Sequence, residues 1–94
     1  MPFTLAFTAE AEAQLAALNA EPRRLRKVLK ALAYLEQNPR HPSLQTHKFQ
    51  SLPGPSGEEV FEAYAENNTP NAYRIFFYYN GPGAIVVMLI IPHP

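Results

Sequence analysis

The 94-residue chain has no cysteine and no aspartate, and its longest unbroken apolar run, AIVVMLII, is only eight residues. Without cysteine there are neither disulfide staples nor thiolate metal sites, so packing alone must hold the fold and a reducing cytoplasm is the compartment that fits. An eight-residue run cannot cross a bilayer, and the opening MPFTLAF has no basic segment ahead of a long apolar stretch. The sequence therefore reads as unexported, cytoplasmic and without a membrane partner. The three histidines, His41, His47 and His93, match no familiar zinc spacing, and no aspartate is present to complete a site. GxSxG, Walker A and Rossmann glycine patterns are also missing, so neither a metal nor an organic cofactor is expected.

What is present fits one compact domain over residues 1–94, because a 47% apolar fraction in a chain this short supplies a single modest core. The ten prolines fall between periodic apolar segments, where they punctuate structure. The formal charge sums to zero, but it is segregated. Residues 22–48 hold seven cations against Glu36 alone, a net of +6, while the segments on either side each contribute −3. Such a split suits a protein that turns one basic face toward a polyanion or an acidic partner, and equally suits a solvated helix face.

Phe3, Leu5 and Phe7 alternate as in a half-buried strand. Thr8 then offers a cap to a helix over about residues 9–19. Pro22 suits the first turn of a second helix, in which Leu25, Val28, Leu29, Leu32 and Leu35 form an apolar stripe. Arg23, Lys27 and Lys30 share the opposite face, and Pro39 stops the helix at Asn38. HKFQSL alternates like a strand. EEVFEAYAEN places Val60, Glu62, Tyr64 and Glu66 on one side of a further strand, with one packed face. AYRIFFYY and AIVVMLII, joined by the NGPG turn, complete the pattern, the last as a central strand. This order predicts an α+β fold: an N-terminal strand and a helical hairpin packed on a mainly antiparallel sheet of about four to five strands.

Arg74 is the only cation after Lys48. In mid-strand it either pairs with a carboxylate such as Glu62 or binds phosphate with its forked donors. Pairing the strands about NNTPN would set Tyr64 opposite Arg74, with Glu62 one diagonal away. His93, just past the last strand, has the side chain suited to proton transfer near neutrality, although terminal tails also fray.

FTAEAEAQLAAL, RLRKVLKALAYLEQNP, HKFQSLPG, AYRIFFYY and the ending IIPHP, in this order, resemble the RelE/ParE superfamily of bacterial type II toxins over nearly the whole chain. The resemblance implies a toxin neutralised by a cognate antitoxin, with a higher-order toxin–antitoxin complex as a further assembly. In the RelE-like branch it implies a metal-independent endoribonuclease that cuts messenger RNA on the ribosome and so inhibits translation. The ribose 2′-hydroxyl attacks the adjacent phosphate, which needs a proton acceptor, a cationic clamp and a proton donor. Carried over, Arg74 matches the phosphate-stabilising arginine and His93 the terminal catalytic residue. Glu62 or Tyr64 occupies the catalytic strand, and His47 and Lys48 lie where a base or phosphate-binding cation is found. Arg40, Arg23, Lys27 and Lys30 would add an RNA or ribosome contact. Where active members carry extra cations this chain has Glu62, Tyr64 and Glu66, and Pro94 replaces the aromatic residue after the terminal cation. Two alternatives stay open: a ParE-like toxin that binds gyrase without chemistry, and a non-toxic relative that binds only an antitoxin.

Overall fold

The computed structural model describes residues 2–94. Strand β1 (Thr4–Phe7) leads into helix α1 (Ala9–Ala17), a 3-10 turn at Leu18–Ala20 and helix α2 (Pro22–Gln37). A 3-10 turn at Pro42–Leu44 precedes the short β2 (His47–Lys48), and β3 (Phe61–Tyr64), β4 (Tyr73–Tyr79) and β5 (Ala84–Pro92) follow. The five strands form one sheet in the order β1-β5-β4-β3-β2, parallel between β1 and β5 and antiparallel elsewhere. The α+β architecture anticipated from sequence is thus present, with the apolar β5 inside the sheet.

Thr8 joins sheet to helix. Its hydroxyl accepts from the Ala11 N–H (3.1 Å), donates to the Met88 carbonyl, and its N–H donates to Val87. One residue therefore caps α1 and ties it to β5. Pro22 opens α2 as expected, and the Asn38 N–H closes it on the Tyr34 carbonyl. Val28, Ala31, Leu32 and Leu35 are buried against Ala63, Ile75, Phe77, Ile85 and Val87 of the sheet. Leu29, expected in the stripe, is instead exposed, because it falls at the edge of the arc that the sheet covers.

Three strand readings need correction. In HKFQSL only His47–Lys48 pairs as a strand; Phe49 still donates its N–H to Val60, but its ring packs at 4.9 Å on Phe76, and Pro53 and Pro55 keep the following loop out of the ladder. The strand around Glu62 is covered on both sides, with Glu62 and Ala63 both buried. Glu66 does not continue the face of Glu62 and Tyr64. The N–H groups of Ala65 and Glu66 both donate to the Tyr73 carbonyl, so two residues oppose one and the alternation is broken. A second irregularity opposite Phe76/Phe77 shifts β5, so that Val87 and Ile90, three apart, both face the helices.

Candidate active site around Glu62

On the sheet face away from the helices, register places chemistry together. His47 lies opposite Glu62, Tyr64 opposite Arg74, and Arg74 opposite Ile91. Alternation then sets Glu62, Tyr64 and Arg74 on one side with Phe76 and His93. The terminal histidine is tethered by its own N–H, which donates to the Ala72 carbonyl at 2.9 Å.

Glu62 is the centre of the group. It is only 1% exposed, yet each carboxylate oxygen meets an imidazole: Oε1 lies 2.8 Å from His47 Nε2, and Oε2 lies 2.5 Å from His93 Nδ1. A buried carboxylate is tolerated only when hydrogen-bonded and compensated, and two histidines together with an arginine do that here. The two rings differ in what they meet. His47 Nδ1 lies 2.8 Å from the Gln45 carbonyl, so both its nitrogens face oxygens. His93 meets Glu62 through Nδ1, and its side chain is half-exposed.

Arg74 is 8% exposed and stacks at 3.7 Å over the Tyr64 ring. Its Nη1 donates to the Glu66 carbonyl at 2.6 Å. Its Nε lies 3.5 Å from Glu62 Oε2, close enough for Coulombic attraction but without hydrogen-bond geometry, and is the buried side-chain polar atom left unpartnered among the described residues. Phe49 packs edge-on to His93 at 6.4 Å and covers Phe76. Among the described residues, no three histidine or glutamate side chains are arranged to hold a metal ion, and no helix is long and apolar enough to cross a membrane.

Solved structures share this architecture. The YoeB dimer from Staphylococcus aureus superposes with a TM-score of 0.65 at 10% identity, over 100% of each chain. The toxin–antitoxin complex RelBE2 from Mycobacterium tuberculosis gives 0.64 at 20% identity, over 99% of this chain and 100% of that one. The chain has the RelE/ParE toxin fold. No protein-family profile and no curated protein sequence matches it.

Within this RelE/ParE fold, the sequence-predicted residues separate into two groups and outliers. Arg74, Glu62, Tyr64, His93 and His47 form the cluster just described. Arg23, Lys27 and Lys30 lie exposed on α2, on the other side of the sheet. Lys48 reaches away from the cluster to Glu59 at 2.9 Å, an exposed pair of little energetic weight. Arg40 acts on the Tyr79 hydroxyl, at the end of β4 roughly 17 Å from Arg74. His41 is structural: it stacks on Tyr34 at 3.9 Å, and its Nδ1 accepts from the Ser43 N–H.

Sequence reasoning missed three supporting residues: Phe49, Arg24 and Glu66. Arg24 Nε donates to Glu66 Oε1 at 2.9 Å and Nη1 to Glu21 at 2.8 Å, with the guanidinium over Tyr73. Burial alone would lower the Arg24 pKa, but Glu66 and Glu21 outweigh it and raise the value further. Glu66 Oε1 also accepts from the Tyr73 N–H, while the Glu66 carbonyl holds Arg74. No local pattern marks this pair, since it spans 42 positions of sequence.

Proposed function

We propose that this chain is the toxin of a type II toxin–antitoxin pair, acting in the cytoplasm as a metal-independent endoribonuclease on messenger RNA at the ribosome. The fold likeness to YoeB and RelBE2 supports the toxin part, and the antitoxin partner follows from RelBE2 being a toxin–antitoxin complex. The observation that carries the chemistry is the buried Glu62 carboxylate holding one half-exposed histidine on each oxygen, with the Arg74 guanidinium alongside.

The reaction is attack of the ribose 2′-oxygen on phosphorus with loss of the 5′-oxygen, which leaves a 2′,3′-cyclic phosphate and a 5′-hydroxyl. His93, oriented by Glu62 through Nδ1, transfers a proton through Nε2 to the departing 5′-oxygen, in the way a carboxylate sets the working nitrogen of a histidine in hydrolytic triads. His47 in its neutral form, donating Nε2–H to Glu62, takes the 2′-hydroxyl proton at Nδ1 once that nitrogen turns from the Gln45 carbonyl, and Glu62 between the rings stabilises whichever is the cation. Both oxygens of Glu62 are occupied, so the carboxylate orients and compensates and the imidazoles move the protons. Arg74, braced by Tyr64 and the Glu66 carbonyl, sets its positive charge beside the charge that builds on the phosphorane.

Purified protein added to translating ribosomes should cut the message, and expression should arrest growth through translation. His93→Ala should lower cleavage by at least about 100-fold without unfolding the chain. Cleavage undiminished in that variant defeats the assignment. Inhibition of supercoiling without RNA cleavage would instead mark a gyrase-binding toxin, and harmless expression a partner-binding relative.

A further inference from the structure

His47, to which the 2′-hydroxyl proton is assigned, sits on the shortest strand of the sheet. Strand β2 is two residues long and lies at the sheet edge beside β3, and the His47 side chain is half-exposed. So short an edge strand has little of its own to hold a ring in place. The chain just before it, in contrast, is tied to the end of α2. Asn38, which closes that helix, accepts from the Arg40 N–H at its side chain (3.0 Å) and from the His41 N–H at its carbonyl (2.9 Å). Leu44 then anchors the loop in the core, where it is fully buried.

Only Gln45 and Thr46 stand between that anchor and His47. Gln45 has a left-handed backbone, φ 48° and ψ 40°, which a residue with a Cβ adopts at a cost and keeps only where its surroundings enforce it. Its carbonyl lies 2.8 Å from His47 Nδ1. Thr46 supplies the enforcement: its hydroxyl donates to the Pro39 carbonyl at 2.6 Å and closes the loop across seven positions of sequence. We infer that Thr46 is a positioning residue for His47, holding Gln45 in its strained turn and so setting the ring between the Gln45 carbonyl and Glu62. Without that bond Gln45 relaxes from the left-handed region, its carbonyl swings away and the two-residue strand frays. This role rests on the proposed ribonuclease reading. Once His47 has taken the 2′-hydroxyl proton it carries N–H groups on both nitrogens, and the Gln45 carbonyl and Glu62 Oε1 are the acceptors placed for them. Thr46 therefore acts on the chemical step and leaves RNA binding alone.

Thr46→Val keeps the shape of the side chain and removes the donor. On translating ribosomes it should lower kcat for message cleavage by about 10-fold with KM unchanged, while Thr46→Ser, which keeps the hydroxyl, should restore the parent rate. In a His47→Ala background the same substitution should cost less than about twofold, because the group it places is gone; a general loosening of the fold would multiply the two losses instead. The ring itself is followed without cleavage, by the nuclear Overhauser contact between the His47 and Tyr64 rings, whose centroids lie 5.9 Å apart. That contact should be present in the parent and in Thr46→Ser and lost in Thr46→Val, with an unchanged circular dichroism spectrum confirming that each variant folds. Persistence of the ring contact in Thr46→Val, or a loss of rate equal with and without His47, overturns the positioning role. If Thr46→Val cuts as fast as the parent, the positioning role falls and the ribonuclease reading stands. If the parent cuts no RNA, the ribonuclease reading falls, and loss of the ring contact in Thr46→Val still upholds the placing of His47 by Thr46.

Discussion

Glu62 shows how a single buried carboxylate can organise the cations around it. Its carboxylate is buried by the strands around it and tolerated only because His47, His93 and Arg74 surround it. Glu62→Gln keeps the volume but removes the anion, so Arg74 would stay buried without a counter-charge and one of the two imidazoles would face an amide N–H in place of an acceptor. We expect a loss of roughly 3 kcal/mol in chemical denaturation, the usual cost of removing one partner of a buried ion pair, along with the loss of RNA cleavage. An unchanged denaturation midpoint would mean that Glu62 is not compensating Arg74. Tyr79 offers a separate check at this scale. Burial raises its pKa above the ordinary value, and the nearby Arg40 offsets this only in part. Above about pH 10 the unfolded chain therefore loses that proton before the folded chain does, so stability is full below this point and declines as pH rises through the folded value. Tyr79→Phe should flatten that alkaline decline in a series of melting temperatures.

Among the elements, α2 and the end of β3 are joined by Arg24, and the bulge at residues 65 and 66 is what turns Glu66 toward it. The same Glu66 carbonyl fixes Arg74, so the helix braces the arginine of the candidate site through one residue. Arg24→Ala should cost about 1–3 kcal/mol, because Glu66 is left buried with its cation removed. It should also reduce cleavage with a smaller change in oligonucleotide affinity, a split that a purely stabilising contact would not give. The capping Thr8, the leucine stripe of α2 and the pairing of β3 with β4 about NNTPN were all legible in the sequence. Each is set locally, by periodicity or by a turn. The burial of Glu62 was not legible, because a charge in a strand reads as a solvent face and its histidine partners lie 15 and 31 positions away. The bulges were hidden for the same reason: they are products of strand pairing and have no local sequence mark. Leu29 was misplaced because periodicity gives the direction of an apolar stripe and does not give how wide an arc the sheet covers.

At the scale of the whole molecule, the sheet is a partition with unequal layers. The helices bury one face around Phe77, Ile85 and Val87, while the opposite face is closed over Phe76 by Phe49 at the start of the loop leading to β3. The helix layer contains the main core and its loss should unfold everything, whereas the loop layer is held by a few contacts. Among these are the Phe49 and Gly54 N–H groups bonded to Val60 and Glu58. Regions with so few buried contacts open locally at lower free energy than the global transition. Phe49→Ala should therefore remove about 3 kcal/mol of packing in denaturant unfolding, less if the loop closes over the gap. Native-state hydrogen exchange should then show the Phe49 and Gly54 amides losing protection while the amides of β4 and β5 keep theirs. Because Phe49 also packs against His93, the same variant should lower cleavage more than its remaining folded population explains. Uniform loss of protection across both layers would instead show that the two faces of the sheet fold as one unit, and that the loop is as much part of the core as the helices are.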